Sequence, residues 1–294
     1  MKRIASGAAV LFLLCSGGLV SAQDFEIKFE RPVKAGLSFG TTVKGSNKQS
    51  QTVKVNGQVA QQEQREFAVA LEADVVVLKV SEKGQPLGFE YTVRKLAKTE
   101  AGQTSDLLPA GSVILVDREK ENEPPFSLKG GGALEPQTLE ALEVVISEGK
   151  KDSVDDDLVF GTKERKAVGA EWPIDVAAAA ASLSDHGLKL AKENMTGTVK
   201  LNGVEPLNGK DCLSLTMTID AKNVELPMPE GFKIEKGTIK VVATGLVPVD
   251  TALPRQAFAA QLQMTALAKG GQPGQEVVVE IQMDRAADEK RVYR

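Results

Sequence analysis

The 294 residues carry 36 basic and 40 acidic side chains, a net charge of −4 without a basic cluster, which excludes the phosphate-neutralising surface of a nucleic-acid binder. One histidine and two cysteines are too few to ligate structural zinc. The length fits one large β domain or two smaller ones.

Residues 1–22 read as a secretory signal peptide. Lys2 and Arg3 form the charged start, Ala8 to Leu14 the apolar run, and Val20-Ser21-Ala22 the small-residue cleavage site, too short for a membrane span. Cleavage after Ala22 predicts an exported chain, periplasmic or secreted. Cys15 follows Leu13-Leu14, not the Gly or Ala that normally precedes a lipidated cysteine. Losing Lys2 and Arg3 leaves 34 basic against 40 acidic side chains, or −6, and Cys212 as the one thiol. Without a disulfide the fold must rest on packing.

Residues 23–150 form a β-rich N-terminal half. Phe25, Ile27 and Phe29 alternate with charged residues and predict a strand; Leu37, Phe39, Thr41 and Val43 predict another. The polar run Gly45 to Thr52 reads as a turn. Val53 and Val55 make a short strand ending at Asn56-Gly57, and the Gln-rich run Gln58 to Arg65 reads as a second turn. Phe67 to Ala73 and Leu87 to Val93 predict strands, with Val75 to Val80 continuing the first of them. Val113 to Val116 and Phe126 to Leu128 are shorter candidates. A helix is expected near 136–148, opened by Pro136, with Leu139, Leu142, Val145 and Ile146 on one face and Gly149 at its end.

Residues 151–294 form the second β-rich half, and the two halves could make one continuous domain. Lys150 to Asp157 reads as a charged loop. An Ala-rich helix is expected near 175–186, capped by Asp175. Thr198 to Asp220 reads as a hairpin in which Leu213, Leu215, Met217 and Ile219 share a buried face and Cys212, Ser214, Thr216 and Thr218 a polar one. Asn208-Gly209 lies in its connection, in a loop longer than two residues. Further strands run from Ile239 to Ala243, Phe258 to Ala266 and Val277 to Met283. Thr52 to Gly57 echoes Thr198 to Gly203, a hint of duplication that good hairpin chemistry also explains. The pattern predicts an α+β fold, mainly β: large curved antiparallel sheets or a half-barrel with two or so packed helices.

Gly169-Ala170-Glu171-Trp172, Thr198 to Thr218 and Gly237 to Leu253 resemble a family of exported bacterial β-rich proteins of unknown function. Gly245 to Gln263, with Asp250 and Leu253-Pro254-Arg255 between two strands, is similar to half-barrel carriers of the lipoprotein-localisation type. The resemblance spans Gly169 to Met283. It implies a curved sheet closed by helices over an acyl chain, and it brings no catalytic residues. Carrier concavities are commonly aromatic-rich, whereas this chain is 4% aromatic.

No residue constellation announces catalysis, a cofactor or a metal. His186 sits at an expected helix C-terminus, where the dipole favours it, and no G-x-S-x-G elbow surrounds any serine. Cys212 has Lys210 and Asp211 beside it but no base, which fits a covered thiol better than a nucleophile. Asp152, Asp155, Asp156 and Asp157 lack the D-x-D-x-D-G spacing of a calcium loop. Gly130-Gly131-Gly132 has no following G-K-S/T. Asn194-Met195-Thr196 fits a glycosylation sequon, and Trp172 reads as a core anchor. The first expectation is a non-catalytic extracytoplasmic protein that binds a hydrophobic ligand or an envelope partner. A structural envelope component without a cavity comes second, and a carboxylate-based hydrolase third.

Overall fold

The computed structural model describes residues 23–120, 125–146, 151, 153–185, 187–272 and 274–294. The signal peptide, Cys15, Gly149, Lys150, Asp152 and His186 lie outside the described residues. In chain order the elements are β1 (Asp24–Phe25), β2 (Ser38–Val55), β3 (Gln58–Val80), β4 (Pro86–Glu100), β5 (Gln103–Asp106), β6 (Val113–Asp117), β7 (Phe126–Leu128), α1 (Pro136–Val145), α2 (Asp156–Phe160), β8 (Lys166–Ala167), β9 (Glu171–Pro173), α3 (Val176–Asp185), β10 (Met195–Leu207), β11 (Lys210–Lys222), β12 (Phe232–Pro248), β13 (Ala257–Gly270) and β14 (Val277–Tyr293).

Twelve strands form one open antiparallel sheet, in the order β7-β6-β4-β3-β2-β14-β13-β12-β11-β10-β9 with β5 beside β4. The fold is thus α+β and mainly β, as the alternating pattern requires. The last strand joins the two halves: β14 inserts between β2 and β13 and pairs Tyr293 with Phe39 and Val277 with Val55. Asn56-Gly57 and Asn208-Gly209 each close a two-residue turn with both residues at positive φ (50° and 80°, 51° and 71°), the geometry that matches strand twist. The β10–β11 connection is therefore tighter than the long loop expected. Register shifts in β3–β4, β10–β11 and β12–β13 bend the strands locally.

Period-two alternation puts one apolar face inward, where the helices lie. Pro136 opens α1, whose Ala141, Leu142, Val144 and Val145 bury against Phe39, Val43, Phe67 and Leu71 of β2 and β3. On the other half, Trp172, Ile174 and Ala179 pack with Val199, Leu201, Leu215 and Met217. Asp175 caps α3 by accepting from the backbone N–H of Ala177 (2.9 Å) and Ala178 (3.0 Å). The opposite face is polar, with cross-strand hydroxyl pairs such as Thr198–Thr218 (3.1 Å) and Thr238–Thr265 (2.7 Å). Among the described residues, no helix is long and apolar enough to cross a membrane.

Several expectations are corrected. Gly45 to Thr52 and Gln58 to Arg65 are not turns but the middle of β2 and the first third of β3. They read as loops because Gln58 to Glu66 is exposed on both faces, so nothing selects an apolar phase; the ladder to β2 holds it extended. Only Asp24–Phe25 of the first expected strand pairs, with β8. Phe25 and Ile27 alternate because both bury in the second core cluster. The acidic stretch expected as loop runs into the start of α2 at Asp156 and Asp157, with Asp155 as its N-cap accepting from Asp157 N (2.7 Å). The echo of Thr52 to Gly57 is not structural: Asn56-Gly57 turns, whereas Asn202-Gly203 sits mid-strand at a bulge.

Candidate ligand chamber and arginine cleft

Across the middle of the inner face the side chains become small. Gly45, Ala287, Ala260 and Ala243 lie side by side in register on β2, β14, β13 and β12. Bulky residues flank this row: Val69 pairs with Gly45, and Met217 with Ala243. Each half builds its own core cluster, and the small row leaves space between them. A chamber of about 460 Å³ opens there, walled by Val144, Val145 and Ile146 at the end of α1, Leu183 of α3, Leu188, and Phe258 and Leu262 of β13. This volume falls in the range of small-molecule sites, which are apolar with a few placed polar groups.

Those polar groups come mainly from β14. Glu289 accepts from Arg291 Nε (2.8 Å) and Thr41 Oγ1 (3.1 Å). Burial pushes its carboxyl up, but Arg291, Arg255 and Thr41 together hold it below the usual range. Arg285 also lines the chamber and makes no hydrogen bond or ion pair among the described residues; burial pushes its guanidinium down, and the Glu143 carboxylate offsets part of that.

A second cavity of about 340 Å³ shares Arg255, Phe258 and Arg291 with the chamber and is lined further by Arg31, Arg118, Glu30 and Asp156. Arg255 stacks on Phe258, its guanidinium carbon 4.5 Å from the ring centroid. Its loop is held by Tyr293, which donates to the Arg255 carbonyl (3.1 Å), and by Gln256, which donates to Pro254 O (3.0 Å). Arg31 is only 7% exposed. Its Nη1 donates to Asp250 O (3.1 Å), while Nε and Nη2 are buried without a partner. Burial pushes Arg31 down, against Asp157, Asp250 and Glu26.

The two carboxyls of the cleft are both raised. Burial comes first for Glu30, then the charges of Asp155, Asp156 and Asp157; burial dominates for Asp156 also, with Arg255 opposing it. These acids also tie the N-terminal strap to α2: Phe29 N donates to Asp157 (2.5 Å), and Asp156 N donates to Glu30.

The residues singled out in the sequence lie elsewhere or serve the scaffold. Cys212 is fully buried, with Sγ 3.7 Å from Lys210 O, and burial raises its pKa. Its position in the polar phase of β11 does not expose it. Asp155 and Asp157 hold α2 and the strap, and no acidic, His or Cys group with metal-holding geometry occurs among the described residues. Gly130, Gly131 and Gly132 turn at positive φ after β7. Asn194 accepts from Asn223 (3.3 Å). Trp172 is buried and donates from Nε1 to Phe160 O (2.9 Å). Sequence reasoning missed Arg31, Arg255, Arg285 and Arg291. Arg285 and Arg291 share β14, Arg255 precedes β13, and Arg31 lies more than two hundred residues earlier, brought in by its bond to Asp250 O.

Fold and site together define an open antiparallel sheet with helices on one face and an amphiphilic cavity between its two core clusters. No family model matches the chain, and no curated protein does. Among solved structures, P47 from Clostridium botulinum A2 is similar at 8% identity over 78% of this chain and 75% of that one, with a TM-score of 0.17. DynF from the dynemicin biosynthesis pathway of Micromonospora chersina is similar at 9% identity over 88% and 90%, with a TM-score of 0.16. At these scores neither likeness bears on fold or function.

Proposed function

We propose that the protein is an exported, non-catalytic carrier or receptor that holds a hydrophobic ligand in the chamber between α1, α3 and strands β13 and β14. The observation that supports this reading is the chamber itself: about 460 Å³ walled by aliphatic and aromatic side chains above a floor of Ala287 and Ala260. A densely packed structural protein has no use for such a void, because unfilled apolar space costs stability. Native mass spectrometry and solvent extraction of protein purified from its own host test the reading. A ligand-shifted mass that an Ala260→Trp variant loses is expected. A clean mass with nothing extractable, and no binding of the apolar fluorophore N-phenyl-1-naphthylamine, would defeat it.

Glu30 and Asp156 favour a second reading. Two carboxyls with raised pKa in one cleft are what a carboxylate hydrolase needs. Ester or glycoside turnover that disappears in both Glu30→Gln and Asp156→Asn would establish it. Unchanged background rates would leave these acids their role in tying the strap to α2.

A further inference from the structure

We infer that the ligand is an anionic amphiphile, whose carboxylate or phosphate head sits in the cleft against Arg255 and Arg31 while its apolar tail fills the chamber. This rests on the chamber being a hydrophobic-ligand site. Three observations lead to it. The two cavities share Arg255, Phe258 and Arg291 in their linings, which sets them side by side, a polar cleft against an apolar chamber. The cleft is lined by four arginines (Arg31, Arg118, Arg255 and Arg291) against two carboxyls (Glu30 and Asp156), with Asp157 and Asp250 acting on Arg31 and Glu289 on Arg291 from behind the lining. Two of these arginines have donors to spare. Arg31 keeps Nε and Nη2 unpartnered in a side chain that is more than nine-tenths covered, and the Arg255 guanidinium is held by its stack on Phe258 and makes no hydrogen bond or ion pair among the described residues.

A buried guanidinium with unused donors is costly unless an acceptor arrives. An oxyanion supplies one, and guanidinium–oxyanion pairs are planar, bidentate and charge-assisted. Arg291 is already committed to Glu289, and Arg118 to Pro86 O, so they set the field and leave the direct contacts to Arg31 and Arg255. The stack on Phe258 presents the Arg255 fork at the boundary between polar and apolar space, where the head of an amphiphile changes into its tail.

The test is displacement of N-phenyl-1-naphthylamine from the full exported chain by decanoate, decyl phosphate, decanol and inorganic phosphate at pH 7.5. Decanoate or decyl phosphate is expected to displace the probe at a concentration at least about tenfold lower than decanol, the size of effect a charge-assisted hydrogen bond supports. Whichever of the two is stronger names the head. Inorganic phosphate should leave the probe in place. Arg255→Gln should erase most of the anion preference, read as the ratio of decanol to decanoate displacement within the same variant; Arg255→Lys should restore part of it. Equal displacement by decanol and both anions, with the probe still bound, overturns the anionic head but leaves the chamber reading standing. Displacement by inorganic phosphate alone overturns the amphiphile. Absence of probe binding overturns both readings together. The wild-type comparison decides the matter even if a variant fails to fold.

Discussion

Val144 of α1 lies directly over Gly45 of β2: a Cβ added at Gly45 would come 2.6 Å from Val144 Cγ1 and 3.1 Å from Val145 Cγ1. This contact sets how closely the helix approaches the sheet, and therefore the height of the chamber wall beside it. The glycine serves close approach and not backbone freedom, since its φ is not positive.

Gly45→Ala should therefore lift α1 and destabilise the protein by about 1–3 kcal/mol, the usual cost of overpacking around stiff β-branched neighbours. Gly40→Ala on the same strand is the control. Its nearest neighbours to an added Cβ are 3.7 Å or more away, and it should change stability by less than about 0.5 kcal/mol. Urea denaturation of both variants decides the point; equal midpoints would remove the helix contact from the account.

Ala287 pairs with both Gly45 and Ala260, and with Ala260 it lines the chamber floor. Ala287→Phe should occupy the ligand volume with a side chain while the cavity absorbs the added bulk. Probe affinity is expected to fall at least about tenfold with a stability change under about 1.5 kcal/mol. Titration and thermal melting on the same sample separate a blocked site from a damaged fold.

Lys98 is 4% exposed, lies 4.3 Å from the Phe67 ring centroid and pairs with Glu100 (2.8 Å) and Glu140 (3.3 Å). Hydrogen bonds from Arg65 and then Lys98 hold the Glu100 carboxyl at about 2, against 4.5 ordinarily. A depressed carboxyl stabilises the fold above pH 4.5 and loses that contribution as pH falls from 4.5 towards 2. Glu100 is 39% exposed, so solvent screening limits its share to about 1 kcal/mol or less. Glu100→Gln should lower the neutral plateau by about 1 kcal/mol or less and so flatten the acid limb, the two stability–pH curves converging towards pH 2. Lys98→Met should keep the packing on Phe67 and be tolerated better than Lys98→Ala, which opens a cavity.

Ala101 holds φ 51° in the turn between β4 and β5, followed by Gly102 at 77°. This is the same turn geometry that asparagine occupies at Asn56 and Asn208. Left-handed backbone disfavours alanine, so Ala101→Asn should stabilise the protein by about 0.5–1 kcal/mol. A rise in melting temperature is expected, and no change would mean that the turn is strained for another reason.

Cys212 is fully buried and its thiol is pushed up. Reaction with iodoacetamide at pH 7.5 should be slow in native protein and complete after denaturation, because only the thiolate reacts. Rapid native labelling would show that the β11–β12 end of the sheet opens.

Local chemistry made much of the fold legible. Asn56-Gly57 and Asn208-Gly209 announce tight hairpins because each supplies two left-handed residues. Leu213, Leu215, Met217 and Ile219 announce a one-sided strand because one face is buried. The polar stretch of β2 and the polar start of β3 stayed hidden, since strands wet on both sides have no apolar phase. The second half of β14 was hidden for a related reason: Arg285, Ala287, Glu289 and Arg291 alternate with Ala286, Asp288 and Lys290, so charge stands on both faces. That unread segment carries much of the site.

The sequence by itself determined the class, an antiparallel mainly β protein with helices, because period-two burial, turn residues and helix caps act over a few neighbouring residues. Only the tertiary structure decided that β14 closes onto β2. That pairing lines up Gly45 with Ala287, and the bond from Arg31 to Asp250 O brings Arg31 to the same cavity as Arg255 and Arg291. The physical reason is range: the register between strands more than two hundred residues apart is set by packing of the whole inner face, and no local pattern in the chain encodes where a void will remain.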